Sequence, residues 1–178
     1  MIWMDTKSFF AGVFLAFAIF IFYTGIISQD YSSYEGRTVF SPNSEAELIS
    51  FVESAQDTID LEMYVFTSEE MARELSDAAL RGVKVRIILE KRANSYNLGE
   101  IVSALKEGGA QIRWASLDYK LTHTKMMIVD GKRVFVGSTN FSSSALNQNR
   151  EMAVILSGEI IEEFILEFEK DWKMGIGA

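Results

Sequence analysis

The apolar positions of this chain fall into two regimes. No charge interrupts the stretch between Lys7 and Asp30, which holds "SFFAGVFLAFAIFIFYTGIIS", and apolar residues surround the helix it would form instead of marking one face. Beyond residue 38, runs of strand length alternate with segments whose apolar residues recur every three or four positions. Residues 41–56 place Leu48, Phe51, Val52 and Ala55 at helical spacing, with Ser44 and Glu47 set as a capping box. Residues 58–66, "TIDLEMYVF", read as a buried strand. A second helix follows over 68–82, capped by Thr67 and Glu70 and ended by Gly82. Residues 83–90 form a strand, 96–109 a helix with Ile101, Val102 and Leu105 on one face, and 110–116 a short strand. "KMMIVDG" and "RVFVGS" are two strands joined by a tight turn at Asp130–Gly131, and "EMAVILS" is another. The last helix, 159–172, carries the stripe Ile161, Phe164, Ile165, Phe168 and Trp172. The alternation predicts an α/β domain, a central sheet covered by helices.

The N-terminal run sets the domain organisation. As a helix, positions 8–29 would span roughly 33 Å at about 1.5 Å per residue, close to the hydrocarbon thickness of a bilayer. A buried core helix and a cleaved signal peptide are the rival readings; the length of the run and the lack of an A-x-A site favour an uncleaved anchor over residues 1–29. Residues 30–37 are polar and read as a tether, and 38–178 as one catalytic domain. Lys7 precedes the run while Asp30 and Glu35 follow it, which predicts a single-pass protein with its domain outside the cytoplasm.

Composition narrows the chemistry. The 178 residues include no Cys, which removes disulfides and thiolate metal sites. Net charge is −8, but residues 81–150 carry a net +7 against −10 over residues 30–80 and −5 over 151–178. A basic middle segment favours an anionic substrate. That segment holds "HTKMMIVDGKRVFVGSTN", with the single histidine, His123. An imidazole titrating near neutrality serves as nucleophile toward phosphorus or as general acid. Lys125, two residues on along a strand, points to the same face and neutralises phosphate oxygens. Ser138 and Asn140 repeat the i, i+2 arrangement on the next strand as hydrogen-bond donors, and Gly137 permits close backbone approach.

His123-x-Lys125-x4-Asp130-x6-Gly137-Ser138-x-Asn140 resembles the signature of the phospholipase D superfamily, and Glu151 falls where that family often carries a glutamate supporting the histidine. "IDLEMYVFTSEEMARELSDAALRGVKVRIILEKR" resembles the first half of small, single-motif members, the bacterial Nuc-type endonucleases and the membrane-anchored mitochondrial nucleases. The resemblance implies a central mixed β-sheet flanked by helices. It implies catalysis by His123 and Lys125, with Asp130 and Glu151 in support, and phosphate binding by Lys125, Ser138 and Asn140. It implies a double displacement through a phosphohistidine, with a second histidine as acid. One motif and one histidine per chain then imply a homodimer, His123 of each copy facing one phosphate across a two-fold axis. Glu151 would hold each ring's other nitrogen. The scheme requires no metal or other cofactor, and the sequence holds no Cys/His cluster for one. The substrate reading is a nuclease first, with Lys91, Arg92, Lys120, Lys132, Arg133 and Arg150 as candidate nucleic-acid contacts. A phospholipase acting on membrane lipid is the alternative, and an inactive scaffold the third.

Overall fold

The computed structural model describes residues 6–27, 35–93 and 96–178, and the chain divides into two units, Met1–Ser33 and Tyr34–Ala178. The first unit contains one helix, α1 (Thr6–Ile27). Its described side chains, Phe10 and those of residues 13–22, are exposed. Counted over the described residues, no helix is long and apolar enough to cross a membrane, so the anchor expected from the sequence finds no support there. Residues 30–34 of the expected tether lie outside the described residues.

The second unit is an eight-stranded sheet with helices on both faces. Its elements are β1 (Glu35–Phe40), α2 (Glu45–Glu53), β2 (Thr58–Met63), α3 (Glu69–Leu80), β3 (Lys84–Leu89), α4 (Leu98–Glu107), β4 (Gln111–Trp114), β5 (Lys125–Val129), β6 (Arg133–Gly137), α5 (Ser143–Asn147), β7 (Met152–Ser157), α6 (Ile161–Met174) and β8 (Ile176–Gly177), with a 3-10 turn at Lys91–Ala93. The strand order is β1-β7-β6-β5-β2-β3-β4-β8. β2 pairs parallel with β3 and antiparallel with β5, so the sheet is mixed. β2 shows how two faces arise from one strand. Ile59, Leu61 and Met63 join the larger core with Leu48 and Phe51 of α2, Met71 and Leu75 of α3, and Ile101 and Leu105 of α4. Asp60 and Glu62 alternate to the opposite face. That face packs α6, where Ile161 and Phe168 meet Ile88, Met126, Ile128 and Val134. Arg86 pins α6 to the sheet: it donates to Asp60 at 2.6 and 2.7 Å, pairs with Glu169 at 2.7 Å, and lies over the Phe168 and Trp172 rings.

Three local expectations are corrected. Glu35, Gly36 and Arg37 are not tether; they pair with Ser157, Leu156 and Ile155 of β7. That partner lies far along the chain, so the polar appearance of the segment concealed the strand. The Ser44–Glu47 capping box does not form, because the Ser44 hydroxyl donates to Leu146 O at 3.1 Å and Glu47 ion-pairs with Arg37. α3 is capped by Ser68, not Thr67: the Ser68 hydroxyl accepts the Met71 N–H at 3.2 Å, and Glu70 is engaged with Arg73.

Candidate active site

The mixed sheet brings the motif together at one of its ends. Antiparallel pairing sets Met63, the last residue of β2, opposite Lys125, the first of β5. The end of β6 meets the start of β7 through Gly137 and Ala153, and Phe40 ends β1 opposite Met152. His123, Lys125, Ser138, Asn140 and Glu151 therefore all gather at this end. Gly137 is required there by its neighbour strand, since a Cβ would strike Met152 O and Ala153.

Lys125 is 5% exposed, while His123 lies exposed above it. The Lys125 ammonium is 3.0 Å from His123 Nδ1 and donates to His123 O at 2.7 Å. Burial pushes the Lys125 ammonium below the ordinary lysine range, and the Glu151 carboxylate partly opposes this. Tyr64, the residue after β2, supplies an aromatic wall. Its ring centroid is 4.3 Å from that of His123, and Lys125 Nζ sits 4.9 Å from it. Nothing in the motif spacing marks Tyr64; its signal is only the aromatic residue that ends a buried strand.

Ser138 and Glu151 are joined by a 2.5 Å hydrogen bond from the serine hydroxyl to Oε2. Ser138 Oγ also accepts the Met152 N–H at 3.1 Å, and Glu151 Oε1 accepts from Asn149 at 3.2 Å. Glu151 is thus held by Ser138 and Asn149 within its own chain, whereas the His123 ring meets Lys125. Asn140 Oδ1 accepts the Val65 N–H at 3.2 Å, which leaves its amide nitrogen as the donating end.

Asp130 does not join this group. It lies in the turn that follows β5, at the opposite end of the strand, roughly 17 Å from Lys125 at about 3.4 Å per residue. There it accepts the N–H groups of Gln56, Asp57 and Thr58 at 2.8 to 3.1 Å and occupies the left-handed region at φ 55°. Burial raises its carboxyl, but those bonds and Lys132 outweigh it and hold the group below the ordinary aspartate range. Asp130 is a turn-holding residue. Lys132 and Arg133 share that far end, with Arg133 bonded to Ser54 Oγ at 2.9 Å and lying over Phe51. Arg92 is near the site end, yet its guanidinium is spent on Glu90 and on the carbonyls of Ser116, Tyr119 and Lys120. Lys91, Lys120 and Arg150 are exposed basic residues at the His123 end. Lys91 also lies over Trp114, and Arg150 over Phe40. Among the described residues, no group of three or more His, Cys, Asp or Glu side chains could hold a metal ion.

The arrangement offers an imidazole ring, a buried ammonium beside it and an amide donor at one end of the sheet, which suits a phosphate, while the Ser138 hydroxyl proton is given to Glu151. A family model described as cardiolipin synthase, PLD-like domain, matches residues 48–172. The mouse mitochondrial cardiolipin hydrolase is 31% identical over 134 residues, covering 75% of this chain. The chain spans 60% of that protein's length. Nuc from Salmonella typhimurium, solved as a phospholipase D family member, superposes with a TM-score of 0.77 at 26% identity, over 82% of this chain and 99% of that one. NucT from Helicobacter pylori gives 0.73 at 25% identity, over 82% and 100%.

Proposed function

This chain belongs to the phospholipase D superfamily, and from that premise we propose that it is a phosphodiesterase acting on nucleic acid through a phosphohistidine on His123. The single observation that carries the reading is the exposed His123 ring seated against the buried Lys125 ammonium.

The reaction is a double displacement. A ring nitrogen of His123 attacks phosphorus, the P–N bond forms, and the P–O bond to the leaving alcohol breaks. Lys125 and the Asn140 amide neutralise and hold the phosphate oxygens as charge builds, and Ser138 joins them by turning its hydroxyl from Glu151 to the phosphate. The leaving oxygen takes a proton from a second imidazole. That imidazole then takes a proton from water, whose oxygen attacks phosphorus as the P–N bond breaks. His123 is the sole histidine of the chain, so the second imidazole is His123 of another copy in a homodimer. Charge is supplied by Lys125, and no metal enters the scheme. Nucleic acid is favoured because Nuc from Salmonella typhimurium and NucT are covered almost whole by the match, and because Lys91, Lys120 and Arg150 flank the site as phosphate contacts.

A second reading, hydrolysis of membrane phospholipid, has its support in the mouse relative's name and in the exposed apolar surface of α1. Attachment to a membrane through residues 1–29, with the domain outside the cytoplasm, rests on sequence composition alone. The test incubates the purified full chain, in chelator, with labelled single-stranded DNA, RNA, duplex DNA and phospholipid vesicles, beside His123→Asn. Cleavage of nucleic acid by the wild type only is expected. Cleavage of vesicles alone transfers the reading to phospholipid, and cleavage of nothing overturns both.

A further inference from the structure

β4 and β5 follow one another in the chain but are not neighbours in the sheet, since β3 and β2 lie between them. The segment that joins them, residues 115–124, therefore crosses the site end of both strands before it delivers His123. It contains no helix or strand, so its backbone groups need partners from elsewhere. Two side chains just past β3 provide them.

Arg92 Nη2 donates to Ser116 O at 3.1 Å, and Arg92 Nη1 donates to Tyr119 O at 2.8 Å and to Lys120 O at 3.1 Å. Its other donors bind Glu90, Nε to Oε1 at 2.7 Å and Nη2 to Oε2 at 2.6 Å. These contacts use every N–H of the guanidinium. Glu90 is 2% exposed and as fully occupied. Its Oε1 also accepts the Arg92 backbone N–H at 2.8 Å, and its Oε2 accepts the N–H of Thr122, the residue before His123, at 2.9 Å. The Glu90 backbone N–H is itself tied to Met63 O at 3.3 Å, and Met63 pairs with Lys125. The crossing segment is thus fixed to the strand pair that carries the other half of the site.

We propose that Glu90 and Arg92 are positioning residues for His123, one clamp that holds the β4–β5 crossing and sets where the ring stands over Lys125. The inference rests on the function proposed above and extends it to residues that the phosphate does not touch. A guanidinium is needed because its planar fork spreads its donors across the Glu90 carboxylate and the carbonyls of Ser116, Tyr119 and Lys120. A lysine keeps the charge but donates from a single atom and cannot span them.

The test uses the full chain and Arg92→Lys. By NMR hydrogen exchange, the Thr122 amide should exchange roughly tenfold faster in the variant or more, while the amides of β6 keep their wild-type rates. An unchanged Thr122 rate overturns the proposal, as does an equal acceleration in β6, whether or not any substrate is cleaved. With bis(p-nitrophenyl) phosphate as probe, Arg92→Lys should lower kcat between about tenfold and a hundredfold with KM unchanged. Arg92→Ala should fall likewise and recover in part with free guanidinium at a non-denaturing concentration. Wild-type kcat in Arg92→Lys overturns the inference, as does a raised KM at unchanged kcat, which makes Arg92 a phosphate contact; so does Arg92→Ala without recovery. A wild type inert toward every phosphodiester overturns the proposed function instead and leaves the exchange rates to decide this one.

Discussion

Asp130 and Glu62 are two carboxylates whose surroundings push them in opposite directions, and each gives a pH dependence. Asp130 is held ionised by backbone N–H groups at the turn before β2. A depressed folded-state value stabilises the protein above the unfolded value, and that stability is lost as pH falls through the folded one. Asp130→Asn keeps the shape and tolerates the left-handed backbone, so it should cost about 1 kcal/mol at neutral pH with kcat unchanged. The cost should shrink in acid; thermal unfolding and steady-state kinetics read both, and a collapse of kcat at unchanged stability contradicts this placement. Glu62 has the raised value. Unfolded glutamate ionises near 4.5 while the folded group keeps its proton to about 8, so stability is fullest below 4.5 and declines up to about pH 8. Glu62→Gln removes that decline, and its Tm advantage over wild type should grow across this window; a constant difference contradicts it. At this scale the sequence was legible in grouping His123 with Lys125 and Ser138 with Asn140, but not in placing each pair on one strand: β5 begins at Lys125 and β6 ends at Gly137, so His123, Ser138 and Asn140 lie on the loops that flank them. Asp130 belongs to the same linear signature, but spacing does not reveal that a whole strand separates it from the histidine. Glu62 read as one position of a buried strand, and only the packing of α6 shows that its carboxyl is enclosed.

Elements explain why these residues meet. β5 delivers His123 and Lys125, and β6 delivers Ser138; their antiparallel pairing brings both to the same edge, and β7 adds Glu151. Gly137 sets how closely β6 approaches β7. Gly137→Ala should therefore destabilise the domain by about 1–3 kcal/mol. It should also reduce kcat, because the Ser138–Glu151 hydrogen bond lies next to the displaced backbone; calorimetry with kinetics checks both, and a neutral outcome contradicts the close approach. β2 through β7 and the helices α2, α3, α4 and α6 were legible because each buries a periodic apolar set. β1 was not, since a mostly exposed edge strand has no apolar alternation to display and depends on β7 for its hydrogen bonds. Tyr64 escaped for the same reason: it reaches His123 only because β2 lies beside β5.

At the level of the whole molecule, one histidine per chain makes the proposed reaction a property of two copies. A tagged mixed dimer of wild type with His123→Asn should fail in multiple turnover while the wild-type dimer succeeds; a fully active monomer contradicts the shared site. The uneven charge, basic over residues 81–150 in an acidic chain, adds that substrate binding should weaken steeply with salt if the substrate is nucleic acid. The most direct measurement is covalent. The full chain is mixed with 32P-labelled phosphodiester, quenched in base during turnover, digested and mapped by mass spectrometry. The account predicts a labelled phosphoramidate on the peptide carrying His123, absent from His123→Asn. Label on any other residue, or turnover by His123→Asn at the wild-type rate, contradicts it.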